Sequence, residues 1–185
     1  MMKTMKLSAF ALAALTAVAC GGGGSDQEAV EAADAVEVEE QVSSATYAVA
    51  DGSTLNWRGF KTYADGEHHG VINVTEGSLM TDGEALTGGM FTIDMSSIAP
   101  MDMEPENEYY GKLVGHLQSP DFFAVDSFPK AMFEITNVEV LADEAAEATH
   151  TISGNLTLRG ITKNISFPAT VMMHEGMVHL KANTF

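Results

Sequence analysis

Cysteine and basic residues are scarce in this chain, and each scarcity excludes a class of protein. The 185 residues include one cysteine, so an intramolecular disulfide and a cysteine-rich zinc site are excluded. Nine lysines and arginines stand against 26 aspartates and glutamates, which gives a formal net charge of −17. Because nucleic-acid backbones require clustered basic side chains, this charge argues strongly against DNA or RNA as a partner.

Long hydrophobic runs and familiar catalytic motifs are also missing. No apolar run is long enough for a multi-spanning membrane protein, and a mean hydropathy of +0.03 excludes a wholly disordered chain. The sequence contains neither G-x-S-x-G nor H-E-x-x-H, so we expect no enzyme activity and no cofactor. The length suits one domain, and 17 glycines with five prolines are typical of a β-rich fold.

The amino-terminal residues have the features of a targeting signal. Lys3 and Lys6 precede an apolar, alanine-rich stretch at 7–18, which is the length of a signal peptide and too short to span a bilayer. The following Ala-Val-Ala-Cys at 17–20 resembles a bacterial lipobox. We therefore predict a lipoprotein signal peptide at 1–19, lipid attachment at Cys20, and a membrane-anchored protein on the periplasmic side or the cell surface. The alternative is an ordinary secretory signal with a chance cysteine.

A glycine-rich and acidic segment separates this signal from the rest of the chain. Four glycines and a serine occupy 21–25, and residues 26–45 hold seven acidic side chains and no basic one. Such a segment has little apolar surface to bury, so we predict a flexible, solvated tether over 20–45. The folded domain is expected at 46–185.

Apolar and polar residues alternate from residue 46 onward, with a period of two. Clear examples are Leu55-x-Trp57, Phe91-x-Ile93-x-Met95, Phe133-x-Ile135 and Leu156-x-Leu158. Alternation of this kind predicts antiparallel strands with one apolar face, in a sandwich or a barrel. Turn signals occur at Asp51-Gly52, Asp82-Gly83 and Glu175-Gly176.

One segment departs from the alternation and predicts a helix. Apolar residues recur at helical spacing over 108–118, and Ser-Pro-Asp-Phe-Phe follows at 119–123. We expect the apolar stripe of this helix to lie over the sheet or across a barrel mouth. Asp121 is predicted to be an N-cap in the turn that follows.

Three blocks of sequence, in order, resemble one protein family. His-Leu-Gln-Ser-Pro-Asp-Phe-Phe at 116–123 is similar to the H-L-x-S-P-D-F-F signature of the YceI-like proteins. Phe-Pro-Lys-Ala-Met-Phe at 128–133 and Gly-Asn-Leu-Thr-Leu-Arg-Gly-Ile-Thr-Lys at 154–163 resemble further blocks of that family. The resemblance covers 46–185. It implies a lipocalin-like antiparallel β-barrel of about eight strands that binds long isoprenoid chains in the cell envelope.

The sequence departs from the family pattern at its carboxyl end. Family members usually continue past Phe185 with another strand pair, so we expect either a fragment or a barrel that closes differently. A missing hairpin would leave two unpaired strand edges, which favours aggregation or pairing of two chains as a dimer.

The resemblance and the inward phase of the strands together predict a lipid cavity. The expected ligand is a polyprenol or an isoprenoid quinone, carried or shielded by the barrel. The cavity candidates are Leu55, Trp57, Leu79, Phe91, Ile93, Phe133, Ile135, Leu156 and Leu158, with Phe122 and Phe123 at the mouth. The alternative for each residue is a place in an ordinary packed core, since small barrels fill themselves with side chains.

Two residues are candidates for contact with a polar headgroup. His116 begins the signature block, and its other interpretation, which we favour, is a local role at the turn at Ser119. Arg159 is one of few basic residues, and its other interpretation, also favoured, is an ion pair with a surface acid.

Two further functions remain open on the sequence. Thioether and imidazole groups suit Cu(I), so a soft-metal protein is one alternative, with ligands among His68, His69, His150, Met172, Met173, His174, Met177 and His179. The other is an envelope or stress adaptor with no ligand, whose acidic surface attracts basic proteins.

Overall fold

The folded part of the chain is an antiparallel β structure with one helix. A computed structural model describes residues 30–60, 66–142, 148–174 and 176–182. Several predicted features lie outside these residues, namely the signal peptide, Cys20, the tether as far as residue 29, and Glu175 of the predicted last turn. The described elements are β1 (Ala33–Asp34), β2 (Ala45–Ala48), β3 (Thr54–Phe60), β4 (Glu67–Asp82), β5 (Ala85–Pro100), α1 (Glu108–Gln118), β6 (Lys130–Val140), β7 (His150–Leu158), β8 (Ile161–His174) and β9 (Met177–Ala182).

All of these strands belong to one sheet, and the sheet is not closed. The strand order is β1-β8-β7-β6-β5-β4-β2, while β3 also pairs with β4 and β9 also pairs with β8, always antiparallel. Within the described residues no ladder joins β2 or β3 to β1 or β9. The predicted lipocalin-like antiparallel β architecture, incompletely closed and with a short helix, is confirmed.

The sheet bends strongly along its two longest strands. Strands β4 and β5 have 16 residues each, and their register shifts at three places. Pairing of β5 with β6 ends at Met90 opposite Glu134, so residues 85–89 at the start of β5 and 135–140 at the end of β6 are not paired with each other. Register shifts of this kind increase twist and coiling, which turns one face of the sheet inward.

Register assigns each side chain to one of two faces. Phe91, Phe133 and Leu156 are direct partners across β5, β6 and β7, so they share one face, which we call the inner face. The opposite, outer face of β7 and β8 carries polar pairs. Its hydrogen bonds join Thr157 to Thr162 at 2.8 Å, Asn155 to Asn164 at 3.1 Å and Ser153 to Ser166 at 2.7 Å.

Two apolar clusters lie on the inner face. The helix-side cluster contains the buried Ile72, Ile93, Met95, Ile98, Leu117, Val125 and Ala131. The hairpin-side cluster contains the buried Leu79, Leu86, Ile135, Ile152 and Ala169. Both are bordered by partly exposed aromatic and aliphatic side chains, because the open sheet does not wrap around them.

Helix α1 begins and ends at the predicted residues. The side chain of Asn107 accepts a hydrogen bond from the Tyr109 N–H at 2.9 Å and caps the amino terminus. Leu113 and Leu117 pack into the helix-side cluster, and Gln118 donates to the Ser96 carbonyl at 3.1 Å. The helix therefore covers one end of the inner face. Among the helices of the described residues, none has the length and apolar character needed to cross a bilayer.

The described part of the acidic segment contacts the sheet, although the sequence predicts a solvated tether. Strand β1 pairs with β8, and Val36 exchanges two hydrogen bonds with the side chain of Asn155, at 3.0 and 2.7 Å. Gln41 donates to the Ile135 carbonyl at 2.7 Å before the chain enters β2. Residues 33–34 therefore extend the sheet at the edge of β8, and residues 36–41 cross the outer face of β7 and β6. The domain boundary at residue 46 stays a prediction.

Candidate functional site

The predicted cavity residues differ widely in exposure. Leu79, Ile93 and Ile135 are buried on the inner face. Six others are half-buried, namely Trp57, Phe91, Phe123, Phe133, Leu156 and Leu158. Leu55 on the edge strand β3 and Phe122 in the loop after α1 are each 44% exposed. An enclosed lining would bury all of them, so the inner face is an open apolar surface at the borders of two buried clusters.

The structure divides these residues between the two clusters. Trp57, Ile93, Phe123 and Leu158 belong to the helix-side cluster or pack against it. Leu79, Phe91, Phe133 and Ile135 do the same at the hairpin-side cluster. Among the described residues, neither cluster includes Leu55, Leu156 or Phe122. Strand alternation therefore predicted which residues lie on the inner face. It did not predict that this face packs into two separate clusters.

Three aromatic rings of the inner face lie over glycines. A Cβ atom on Gly70 would come within 2.8 Å of the Trp57 indole, and one on Gly77 within 3.1 Å of the Phe91 ring. The ring of Phe133 occupies the corresponding position over Gly154. Because these rings lie against the backbone, they cover the sheet instead of extending fully from it.

Buried polar atoms on this face lack partners within the described residues. The indole Nε1 of Trp57 is buried with no hydrogen-bond acceptor, and so is the Oγ1 of Thr81. An unpaired donor in an apolar setting costs free energy unless a ligand or a water satisfies it. Sequence reasoning assigned Trp57 to the cavity from the inward phase of its strand. Its N–H group is the feature that a ligand oxygen would use.

The headgroup candidate Arg159 holds a loop in place. Its guanidinium donates to the carbonyls of Phe122 and of Pro120, the latter at 3.1 Å. Arg159 and Gly160 both have positive φ, at 51° and 73°, and form the tight turn between β7 and β8. The favoured prediction of an ion pair with a surface acid is not what these contacts show. The guanidinium fixes the loop after α1 to this turn.

The headgroup candidate His116 lies exposed in the last turn of α1. Its ring centroid is 5.9 Å from that of Phe122, and its carbonyl accepts from the Ser119 Oγ at 2.7 Å. The local contact expected at this turn is thus made by the backbone carbonyl of His116 and the hydroxyl of Ser119, and not by the imidazole. The prediction that Asp121 is an N-cap is wrong, because the next element after α1 in the described chain is β6.

The histidines proposed as soft-metal ligands are dispersed. His68 Nδ1 lies 2.7 Å from Asp102 Oδ2, and His150 Nδ1 lies 2.7 Å from Thr149 Oγ1. His69 follows His68 on β4, and the remaining two candidates, His174 and His179, are on the β8–β9 hairpin. In the part of the chain that the structure describes, no three His, Cys, Asp or Glu side chains are grouped to hold a metal ion. The full candidate set does not converge.

A small pocket lies away from the inner-face candidates. It has a volume of about 280 Å³ and is lined by Val49, Ala50, Asp51, Gly52, Ser53, Asn73, Val74 and Thr75. It sits between the β2–β3 connection and β4, and none of the predicted cavity residues lines it. It is therefore a separate feature of the sheet edge.

Comparison with protein families identifies the chain. Residues 29–185 match the family described as the YceI-like domain. The chain belongs to the YceI-like family. A UPF0312 protein of Pseudomonas putida F1 is 28% identical over 102 residues, which are 55% of this chain and 48% of that protein. Protein YceI of Salmonella arizonae is 42% identical over 57 residues, which are 31% of this chain and 27% of that protein. The chain thus spans about half the length, or less, of these curated relatives.

Two solved structures are also similar to this YceI-like chain. BcnA of Burkholderia cenocepacia is 15% identical with a TM-score of 0.48, and the match covers 62% of this chain and 65% of BcnA. The YceI protein of Campylobacter jejuni is 23% identical with a TM-score of 0.39, covering 55% of each chain.

Two of the sequence blocks typical of the family contact each other in the fold. The block at 116–123 forms the end of α1 and its loop, and the block at 154–163 forms the β7–β8 hairpin. Arg159 joins them, and the Phe128 ring lies over Gly160, where a Cβ would approach it to 2.9 Å. The blocks therefore build one corner of the fold, at the helix-covered end of the inner face.

Proposed function

We propose that this YceI-like protein binds a long apolar lipid of the isoprenoid type, a polyprenol or an isoprenoid quinone, on its inner face. The observation that carries the proposal is the set of half-buried aromatic and aliphatic side chains that border the two clusters. Contiguous apolar surface of this kind is rare on soluble proteins unless it receives a ligand or a partner. An extended hydrocarbon chain matches it in shape and in polarity.

The free energy of transfer defines what such a protein does with its ligand. Removing an isoprenoid chain from water gains about 0.8 kcal/mol for each CH₂-sized group. A bilayer offers the same gain, so the protein competes with the membrane on nearly equal terms. The role that follows is a carrier or a shield in the cell envelope, and lipid attachment at Cys20 would keep it beside its lipid source.

The helix-covered end of the inner face is where we place the polar end of the ligand. The Trp57 Nε1–H is a buried donor without an acceptor, and a quinone carbonyl or a polyprenol hydroxyl would supply one. His116 lies beside Phe122 at the same end and is available for a headgroup. Arg159 acts through the loop that it holds, which carries Phe122 and leads to Phe123.

Extraction of the native protein tests lipid binding. The full chain is purified from its own membranes, extracted with organic solvent and examined by mass spectrometry. We expect a polyprenyl lipid at about one per chain. A clean extract from folded protein, together with no uptake of added polyprenol, would overturn the proposal.

Two neighbouring residues of β6 provide a matched pair of variants. Phe133 lies on the inner face, whereas Met132 is 41% exposed and has the opposite phase. We expect Phe133→Ala to lower lipid affinity at least tenfold and Met132→Ala to leave it unchanged. Equal lipid binding by the two variants would refute the assignment of the inner face.

The membrane anchor has its own test. Cys20→Ala is expected to move the protein from the membrane fraction to the soluble fraction of the envelope, because the acyl chains have no other attachment site. Unchanged retention at the membrane would contradict lipid attachment at Cys20, without bearing on lipid binding by the inner face.

A further inference from the structure

We propose that the β8–β9 hairpin carries a binding site for a soft monovalent metal ion, Cu(I) or Ag(I), on the outer face of the sheet. We call this surface the Met–His face. Its members are Met172, His174, Met177 and His179.

Strand register brings these four side chains together. Met172 is the direct partner of His179, and His174 is the direct partner of Met177. Direct partners in an antiparallel pair have Cβ atoms about 4.5–5.5 Å apart, and the next pair on the same face lies about 6.6 Å further along. We call each cross-strand pair a row, and each of these two rows combines one thioether with one imidazole. Side chains of this length reach a common point above the rectangle that their Cβ atoms define.

The alternate residues of the hairpin fix the direction of the Met–His face. Val171, Val178 and Leu180 pack against the hairpin-side cluster on the inner face. Residues between them point to the opposite side, where Met172 is 54% exposed and Met177 is 53% exposed. The outer face of a half-buried hairpin normally carries polar residues. The two methionines depart from that pattern and stand beside two histidines, so the two pairs present two thioethers and two imidazoles to solvent.

The donor set selects the class of metal. Thioether sulfur and neutral imidazole are soft or intermediate ligands that favour Cu(I), and they supply no negative charge for a hard divalent cation. Lys181, opposite Thr170, is the charged residue of the next row on this face, and it further favours a monovalent ion over a divalent one. Carboxylate-rich sites for Ca²⁺ or Mg²⁺ have a different composition.

The proposed metal site is independent of the proposed lipid site. The Met–His face and the lipid-binding residues lie on opposite faces of one sheet. Loss of metal binding would therefore not argue against lipid binding, and loss of lipid binding would not argue against the metal site. The soft-metal hypothesis from the sequence is thereby narrowed from eight residues to four, since His68, His69 and His150 are elsewhere and Met173 has the inward phase.

The test measures Cu(I) binding by the full chain with Cys20→Ala in every sample, because a free thiolate would bind Cu(I) itself. Cu(I) is titrated under anaerobic conditions with ascorbate, in competition with a chromophoric Cu(I) chelator. The double variant Met172→Leu with Met177→Leu removes both thioethers with little change in volume. The matched control is Met90→Leu with Met132→Leu, at outer-face positions of the same sheet that are 40% and 41% exposed.

We expect the hairpin variant to bind Cu(I) at least tenfold more weakly than the parent and the control variant to bind it equally well. A second measurement needs no variant: Ag(I) should shift the methionine methyl NMR signals of residues 172 and 177 and leave those of 90 and 132 in place. Equal Cu(I) affinity in the two double variants, or hairpin methyl signals that do not respond to Ag(I), overturns the proposal.

Discussion

Gln41 tests whether the acidic amino-terminal segment is part of the fold. Its amide Nε2 donates to the Ile135 carbonyl at 2.7 Å, and its side chain fills the space over Gly88. Ile135 lies just past Glu134, the last residue of β6 that pairs with β5. Gln41→Ala therefore removes a donor from a buried part of the sheet and leaves a gap above a glycine.

The magnitude follows from the buried carbonyl. Loss of a partner from a buried polar group costs about 1–3 kcal/mol. For a domain of this size, each kcal/mol lowers the melting temperature by about 2–4 °C. We therefore expect Gln41→Ala to lower it by roughly 4–8 °C, if the loss is near the middle of that range. Gln41→Glu keeps the shape but replaces the donor by a carboxylate, so we expect it to be at least as harmful.

Thermal unfolding followed by circular dichroism is the assay, and Val42→Ala is the control. Val42 is 72% exposed and adjacent in sequence, so its truncation should shift the melting temperature by no more than about 1 °C. Melting temperatures that are equal for Gln41→Ala, Val42→Ala and the parent would refute the conclusion that this segment contributes to the fold, and would restore the solvated tether.

Three further variants address the loop, the core and pH dependence. Arg159→Met should cost about 1 kcal/mol of unfolding free energy, measured with urea, because two carbonyls lose their donor; a headgroup role alone predicts no loss. Ile135→Ala should cost about 2–5 kcal/mol and Leu55→Ala clearly less, since Ile135 is fully buried; similar costs would contradict the assigned burial. Burial lowers the pKa of His150 below its usual value of 6.5, so the folded state binds its proton at lower pH than the unfolded state does. Stability should therefore fall as pH drops below about 6.5, and less steeply in His150→Asn, as melting curves at several pH values would show.

Much of the fold follows from local pattern in the sequence. Alternation fixed the phase of the strands because only one face of this sheet is apolar, so Phe91 and Phe133 face inward as predicted. Helix α1 was predictable over its full length, since its apolar residues recur at helical spacing. Two turns followed from Asp-Gly pairs. One lies at 51–52 and the other at 83–84, one residue later than the predicted pair, and Gly52 and Gly83 have positive φ.

Contacts between distant segments were not predictable in the same way. Residues 30–45 look like a tether because they carry acids and little apolar surface. Their backbone nevertheless pairs with the edge of β8 and bonds to Asn155 on the outer face, and composition does not reveal the partners of backbone groups. The side chain of Arg159 has five N–H donors, but its acceptors are backbone carbonyls almost 40 residues away in the sequence. A carbonyl exists at every position, so no residue type marks it as a partner.

The open inner face connects the fold to the proposed function. Trp57, Phe91 and Phe133 are large enough to fill the centre of a small barrel, which is why a packed core was a serious alternative for each of them. Each ring instead lies over a glycine of its own sheet, where any larger residue would displace it. Glycine in a strand costs stability, because it packs nothing and orders poorly in the unfolded chain. Three such pairings on one face keep the aromatic rings close to the sheet. A Cβ at any of the three glycines would meet a backbone carbonyl as well as the ring, so none can be filled without moving a strand, and the rings stay against the face on which we propose that an extended hydrocarbon ligand binds.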